Sequence, residues 1–163
     1  AEAMDAIEIQ LADFARRDTR CQRLMAASGV GLITATALSA GIGDFARFPS
    51  GRHFASALGL TPREYSSGGT RKLGRITKQG DVFLRTLLIH GARSALIVAA
   101  TARKRGQPLD RTQQWALALA ERKGHNKAAV ALANKVARRL WASEHHGTSF
   151  DPEHISRREP RAA

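Results

Sequence analysis

The stretch from Val82 to Lys104 constrains the fold more than any other part of the chain. Phe83, Leu84, Leu87, Leu88, Ala92, Ala95, Leu96, Val98 and Ala99 spread apolar side chains over most of a helix circumference, and Asp81 stands where an N-cap is needed. A surface helix requires only one apolar stripe. A helix apolar on most sides belongs at the buried centre of a mainly α domain, with other helices packed round it.

The flanking sequence supplies those helices. Met4, Ile7, Leu11, Phe14, Cys21, Leu24 and Met25 recur at mostly three- and four-residue intervals, which predicts one amphipathic helix from Ala3 to Ala27. Its first half is acidic and its second half basic, which suits the helix dipole and equally an antiparallel partner helix. Ser28-Gly29-Val30-Gly31 interrupts it, and Leu32 to Ala40 resumes a helical pattern that Gly41 and Gly43 stop. Ser50 is placed to cap a short helix through Phe54 and Leu58, ended by Gly59. Asp110 starts another through Trp115, Leu117 and Ala120 to Gly124, and Asn126 to Ser143 forms the last, burying Val136, Leu140 and Trp141. Between Leu60 and Gly80 the pattern dissolves into Pro62, paired serines, glycines and basic residues, a functional loop with room for a short hairpin.

The chain therefore divides into a helical arm or connector at 1–27, a main domain at 28–146 and a disordered tail at 147–163. At 163 residues, two independent domains are not expected. The start at Ala1, with Met4 nearby, does not resemble a natural initiation point, so a piece of something longer is expected.

Charge narrows the partners. Twenty-six Lys and Arg against 14 Asp and Glu give a formal net charge of +12, an excess that would repel itself without a polyanion close by. Nucleic acid leads on that ground, and a basic protein of ribosomal kind is the bland alternative. Cys21 is the single cysteine, which excludes an internal disulfide or a cysteine-cluster zinc site and fits a reducing cytoplasm. The longest apolar run, Ala92 to Ala102, is broken by Arg93 and Ser94 and falls short of a membrane span; with no signal-like N-terminus, a cytoplasmic location and no membrane association are expected.

Two constellations carry chemistry. In Ser28-Gly29-Val30-Gly31, two glycines flank one apolar residue and a helix starts at once, which resembles the hairpin of the helix-hairpin-helix DNA-binding motif. Glycines there let the backbone amides of the next helix, around Gly29, Gly31 and Thr34, approach a phosphate; the competing reading is a helix-helix turn whose glycines relieve close packing. The second is Arg63-Glu64-Tyr65-Ser66-Ser67-Gly68-Gly69-Thr70-Arg71-Lys72-Leu73-Gly74-Arg75-Ile76-Thr77-Lys78. A serine beside Gly68 and Gly69 presents its hydroxyl with room for a phosphodiester, while Arg63, Arg71, Lys72, Arg75 and Lys78 put positive charge where pentavalent phosphorus needs it. The hydroxyl needs a base or a metal ion to attack, and Glu64 and His90 are the nearest candidates along the chain. A solvated Ser/Gly turn that only binds phosphate is the alternative.

Taken in order, Ser28-Gly29-Val30-Gly31, Phe48-Pro49-Ser50, Gly59-Leu60-Thr61-Pro62, Ser67-Gly68-Gly69, Arg75-Ile76-Thr77-Lys78-Gln79-Gly80-Asp81 and Leu84-Arg85 resemble the C-terminal domain of the DEDD-type insertion-sequence transposases, the IS-one-ten group that includes pilin-inverting recombinases. The resemblance spans about Leu24 to Ala102. It implies a serine that becomes covalently joined to DNA, placed at Ser67 with Ser66 as the adjacent fallback. It also implies an N-terminal RuvC-like domain whose acidic residues bind a divalent metal such as Mg2+, a noncoding guide RNA, and a homo-oligomer, for which the N-terminal helix is the natural contact. Arg85 joins the nucleic-acid-binding set through the same motifs. The sequence departs from the family in having no RuvC-like half: Asp5, Glu8, Asp13 and Asp18 lie on the helical arm rather than on strands. No cofactor or metal is therefore expected in this fragment, which should bind DNA without completing transposition.

The smaller candidates weigh less. His145, His146 and His154 near a flexible end are expected to bind no metal, His90 to be a core residue, and Trp115 and Trp141 to be core anchors. Lys127, Lys135, Arg138 and Arg139 on the last helix offer a second face for tracking phosphates. The functional alternatives to a serine recombinase part are a non-catalytic helix-hairpin-helix nucleic-acid-binding module and a pure assembly element.

Overall fold

The computed structural model describes residues 2–154. In chain order these form α1 (Glu2–Arg17), α2 (Thr19–Met25), α3 (Leu32–Ile42), a 3-10 turn (Phe45–Arg47), α4 (Gly51–Ala57), β1 (Pro62–Glu64), β2 (Leu73–Ile76), α5 (Val82–Lys104), α6 (Arg111–Lys123) and α7 (His125–His146), a mainly α architecture with one small hairpin. Helix α5 is the central element: Leu84, Leu88, Ala92, Ala95, Leu96 and Ala99 are buried, and it packs against α3, α6 and α7. By length and apolar composition alone, α5 is sufficient to cross a bilayer, contrary to what the interrupted run Ala92 to Ala102 suggested. Arg93 and Ser94 lie within it without ending it, because neither side chain breaks backbone hydrogen bonding.

Local chemistry sets the helix starts. The Asp81 carboxylate accepts the Leu84 amide at 2.8 Å, and Ser50 accepts from the His53 amide. At α6, Asp110 and Gln113 form a reciprocal capping box. Helix α7 then runs back across α4, α5 and α6. Its Trp141 Nε1 donates to the carbonyls of Phe45 and Phe48, both at 3.1 Å, which fastens the 3-10 turn to the bundle.

The expected single helix from Ala3 to Ala27 is two helices. Asp18 takes an extended conformation and its side chain caps α2 by accepting the Arg20 amide, because ending the helix there turns Cys21 and Leu24 into the core. Helix α2 is also tied to α7: Arg23 donates twice to Glu144 at 2.9 Å, and the Glu144 side chain is only 4% exposed. Helix α1 by contrast leaves Met4, Ile7, Ile9 and Phe14 exposed. Helix α3 continues through Gly41 and stops at Gly43.

The tail also differs in its first part. Phe150 packs against the core, Thr112 Oγ1 donates to the Pro152 carbonyl at 3.0 Å, and the Arg111 amide donates to Glu153 at 3.1 Å, so residues 148–154 lie along α6 and α7. The half-buried Phe150 ring supplies the apolar contact that a charged tail otherwise lacks. The rest of the expected disordered tail lies outside the described residues.

Candidate nucleic-acid interface

Strands β1 and β2 pair antiparallel, Pro62 with Ile76 and Glu64 with Leu73, so the Ser/Gly segment is the end of a hairpin rather than an irregular loop. Its tip is a two-residue turn. The amides and carbonyls of Ser67 and Thr70 bond to each other at 3.3 and 3.0 Å, while Gly68 and Gly69 sit between them at φ 55° and 80°. Both central residues of such a turn need positive φ, which glycine adopts without steric cost. The Ser-Gly-Gly-Thr order thus dictates the local fold.

Ser66 and Ser67 are both exposed. Their surroundings differ. The Ser66 hydroxyl donates to Glu64 Oε1 at 2.6 Å and accepts the Lys72 amide at 3.3 Å. The Ser67 hydroxyl has no hydrogen-bond partner among the described residues. Arg63, Arg71, Lys72, Arg75 and Lys78 are all exposed on this hairpin. Arg71 Nε lies 3.5 Å from Glu64, and the other four have no carboxylate partner among the described residues. Unneutralised cations on one short hairpin concentrate positive charge, which attracts polyanions in general.

The base of the hairpin is anchored. Asn134 Nδ2 of α7 donates to the Leu60 carbonyl at 2.9 Å. Arg85 Nη1 donates to the Leu58 carbonyl at 3.1 Å, and Arg85 is 7% exposed. Arg85 therefore does not share the binding surface expected for it: its guanidinium satisfies a buried carbonyl under the hairpin, a demand that sequence spacing cannot display.

The glycine turn lies elsewhere. A Cβ on Gly29 would sit 2.6 Å from the Gly91 carbonyl oxygen, and one on Gly91 would sit 1.8 Å from that of Gly29. Gly29 is thus where the turn passes against α5 backbone to backbone, and packing accounts for it. Gly31 is different: it is the N-cap of α3, nothing lies within 4 Å of where its Cβ would be, and α3 has no side-chain cap. Gly31 and the 93%-buried Thr34 line a cleft of about 700 Å³ shared with His90, Ser94 and Asp110. His90, expected in the core, is exposed on the wall of this cleft. The turn docks at Gly91, about 14 Å along α5 from its Val82 end, which the hairpin precedes, at 1.5 Å per residue. The two constellations therefore form separate surfaces.

The basic face of α7 is committed at Lys135 and Arg139 and open at Lys127 and Arg138. Lys135 Nζ lies 4.1 Å from the Trp115 ring centre, and Arg139 donates to Thr112 and to the Asp151 carbonyl. Burial lowers the affinity of Lys135 for its proton, with Arg139 and Arg138 adding to the effect. Arg138 stays exposed, and no carboxylate pairs with it among the described residues. Trp141 is a core anchor, with His145 stacked on it at 4.5 Å. Among the described residues no group of three or more His, Cys, Asp or Glu is placed to hold a metal ion.

Sequence reading passed over Tyr65. Its side chain is 63% exposed and its ring crosses Gly74 of β2, where a Cβ would come within 2.9 Å, so an exposed aromatic ring lies across the hairpin. Its position one residue before paired serines in a basic segment was the available signal.

Residues 21–107, from α2 to just beyond α5 and including the whole hairpin, match the family described as "Transposase IS116/IS110/IS902 family". The chain belongs to this family of insertion-sequence transposases. It is 47% identical over 146 residues to a "Probable family 20 transposase" of Pseudomonas aeruginosa, covering 90% of this chain and 41% of that protein. It is 43% identical over 141 residues to the "Transposase for insertion sequence element IS1111A" of Coxiella burnetii, covering 86% and 37%. It is 36% identical over 149 residues to the "Transposase for insertion sequence element IS1328" of Yersinia enterocolitica, covering 91% and 43%. The chain spans about two fifths of the length of these curated relatives.

Proposed function

We propose that this chain is the nucleic-acid-binding, strand-exchanging part of an insertion-sequence transposase and corresponds to the C-terminal domain of the DEDD type, with Ser67 as nucleophile. One observation carries the reading: within the segment matched to the family, a hydroxyl without an intramolecular partner stands at the tip of an anchored hairpin whose second strand brings Lys72 and Arg75 and whose base carries Arg63 and Lys78. In the reaction, Ser67 Oγ forms a bond to a DNA phosphorus and loses its proton to solvent. The phosphorus–oxygen bond to one deoxyribose breaks, and that oxygen takes up a proton. One phosphodiester becomes a phosphoserine diester, so no external energy source is needed and a second DNA hydroxyl can reverse the step. The cations stabilise the charge on the pentavalent phosphorus.

In this reading Mg2+ is held by acidic residues of an N-terminal RuvC-like part, a noncoding RNA guides the choice of DNA, and the protein acts in the cytoplasm without a membrane. Homo-oligomers form through α1, where Met4, Ile7 and Phe14 are exposed and the acidic half faces the basic half of an antiparallel copy. A non-catalytic binding module is the second reading, favoured by the open, uncapped N-terminus of α3 at Gly31.

The two separate on Ser67→Ala in a full-length transposase carrying this sequence, incubated with a labelled duplex of an insertion-sequence end. The variant should retain the DNA yet form no covalent protein–DNA adduct. An adduct formed at the normal rate would falsify the serine assignment.

A further inference from the structure

We propose that Glu64 and Ser66 form a clip that holds the hairpin tip in place, so that Glu64 is a positioning residue and Ser67, not Ser66, is left free to attack. This rests on the nucleophile reading above and assigns the division of labour between the two serines.

The geometry of Ser66 is that of a strut. Its hydroxyl proton is engaged by Glu64 Oε1 at 2.6 Å and one lone pair by the Lys72 amide at 3.3 Å, so the side chain links one arm of the hairpin to the other. The Tyr65 amide donates to the Lys72 carbonyl at 2.8 Å, a second tie at the same level. The pairing register shifts between Pro62 and Glu64, and a hairpin with such an irregularity lacks part of its ladder there. The bond from the Lys72 amide to the Ser66 hydroxyl, just above the irregularity, adds a tie between the two arms, and the Glu64 carboxylate orients that hydroxyl to accept it.

Charge argues the same way. A phosphodiester brought to Ser66 would have its anionic oxygens beside the carboxylate that lies 2.6 Å from the attacking oxygen. Arg71 Nε, 3.5 Å from Glu64, offsets that charge only in part, since both side chains are more than half exposed. Ser67 is one residue further out. Its backbone is closed on Thr70 by two hydrogen bonds, its hydroxyl is unengaged, and only Gly68 and Gly69 follow, with nothing within 4 Å of where their Cβ atoms would be. A phosphate can reach it from the open side while the clip fixes its height. The rival arrangement, with Ser66 as nucleophile, Glu64 as proton acceptor and Arg71 as orienter, has the same hydrogen bonds and is decided by experiment.

The test uses a full-length transposase carrying this sequence and a labelled insertion-sequence-end duplex, following the rate of adduct formation, the retention of DNA and the modified residue by mass spectrometry. Ser66→Ala and Glu64→Ala should each slow adduct formation about ten- to a hundred-fold, the cost of an ångström-scale misplacement. DNA concentration at half-saturation should stay unchanged, Ser66→Thr should recover most of the rate, and the double variant should be no slower than the worse single one. The adduct should map to Ser67 throughout. In the isolated chain, the Lys72 amide should exchange faster with solvent in both single variants. Normal adduct rates in Ser66→Ala and Glu64→Ala overturn the clip and leave the Ser67 nucleophile standing. An adduct on Ser66 that survives Ser67→Ala overturns both.

Discussion

Replacing Gly91 by alanine tests whether the glycine turn is held by packing. Its new Cβ would lie 1.8 Å from the Gly29 carbonyl oxygen, far inside the contact distance of about 3.5 Å. No side-chain rotation relieves that contact, because the obstacle is backbone. Overpacking of this kind costs about 1–3 kcal/mol, and a clash with fixed backbone belongs at the upper end. Alanine returns about 1 kcal/mol in helix propensity, since Gly91 lies inside α5. A net loss of about 2 kcal/mol lowers the melting temperature by about 4–8 °C in a chain of this size. Circular dichroism at a helix band measures it. Gly31→Ala is the control: with nothing near its Cβ and an ordinary φ of −90°, it should cost no more than about 1 kcal/mol, the weaker preference of alanine for an N-cap. If Gly91→Ala melts within about 1 °C of the parent, the close approach of the turn to α5 is not a constraint and the reasoning fails.

Three further outcomes follow from the structure. Arg85→Ala strips a donor from the buried Leu58 carbonyl, costing about 1–3 kcal/mol, and the Thr77 and Lys78 amides at the hairpin base should exchange faster; unchanged exchange would remove Arg85 as an anchor. Burial, and then the neighbouring Asp18 carboxylate, push the Cys21 thiol up to about 11, so iodoacetamide at pH 8 should label it only on unfolding, and rapid labelling of the native chain would contradict its place in the core. The hydrogen bond from Ser39 at 2.6 Å, opposed by burial and aided by the Arg20 amide, holds the Asp18 carboxyl below its ordinary value. A depressed folded pKa stabilises above the unfolded value of about 3.9 and is lost as pH falls through the folded one, so Asp18→Asn should be the less stable at pH 7 and match the parent in acid; a gap that persists at low pH would refute this.

What the sequence determined by itself was whatever depends on neighbours within a turn or two. Asp81, Asp110 with Gln113, and Ser50 cap the helices they precede, and the apolar coverage of Val82 to Lys104 marks the central helix. The order of short motifs carried the family, and Ser67-Gly68-Gly69 specified a tight turn because two adjacent positive φ angles call for glycine. Tertiary structure decided the rest. Periodicity runs unbroken past Asp18, so only the demand to bury Cys21 and Leu24 reveals the helix break there. Gly29 and Gly91, or Arg85 and the Leu58 carbonyl, meet across long separations, and a glycine or an arginine looks the same in sequence whether it faces a phosphate or a neighbouring backbone. The two serines differ in the same way: adjacent and chemically identical along the chain, they are told apart only by which one the folded hairpin places within reach of Glu64.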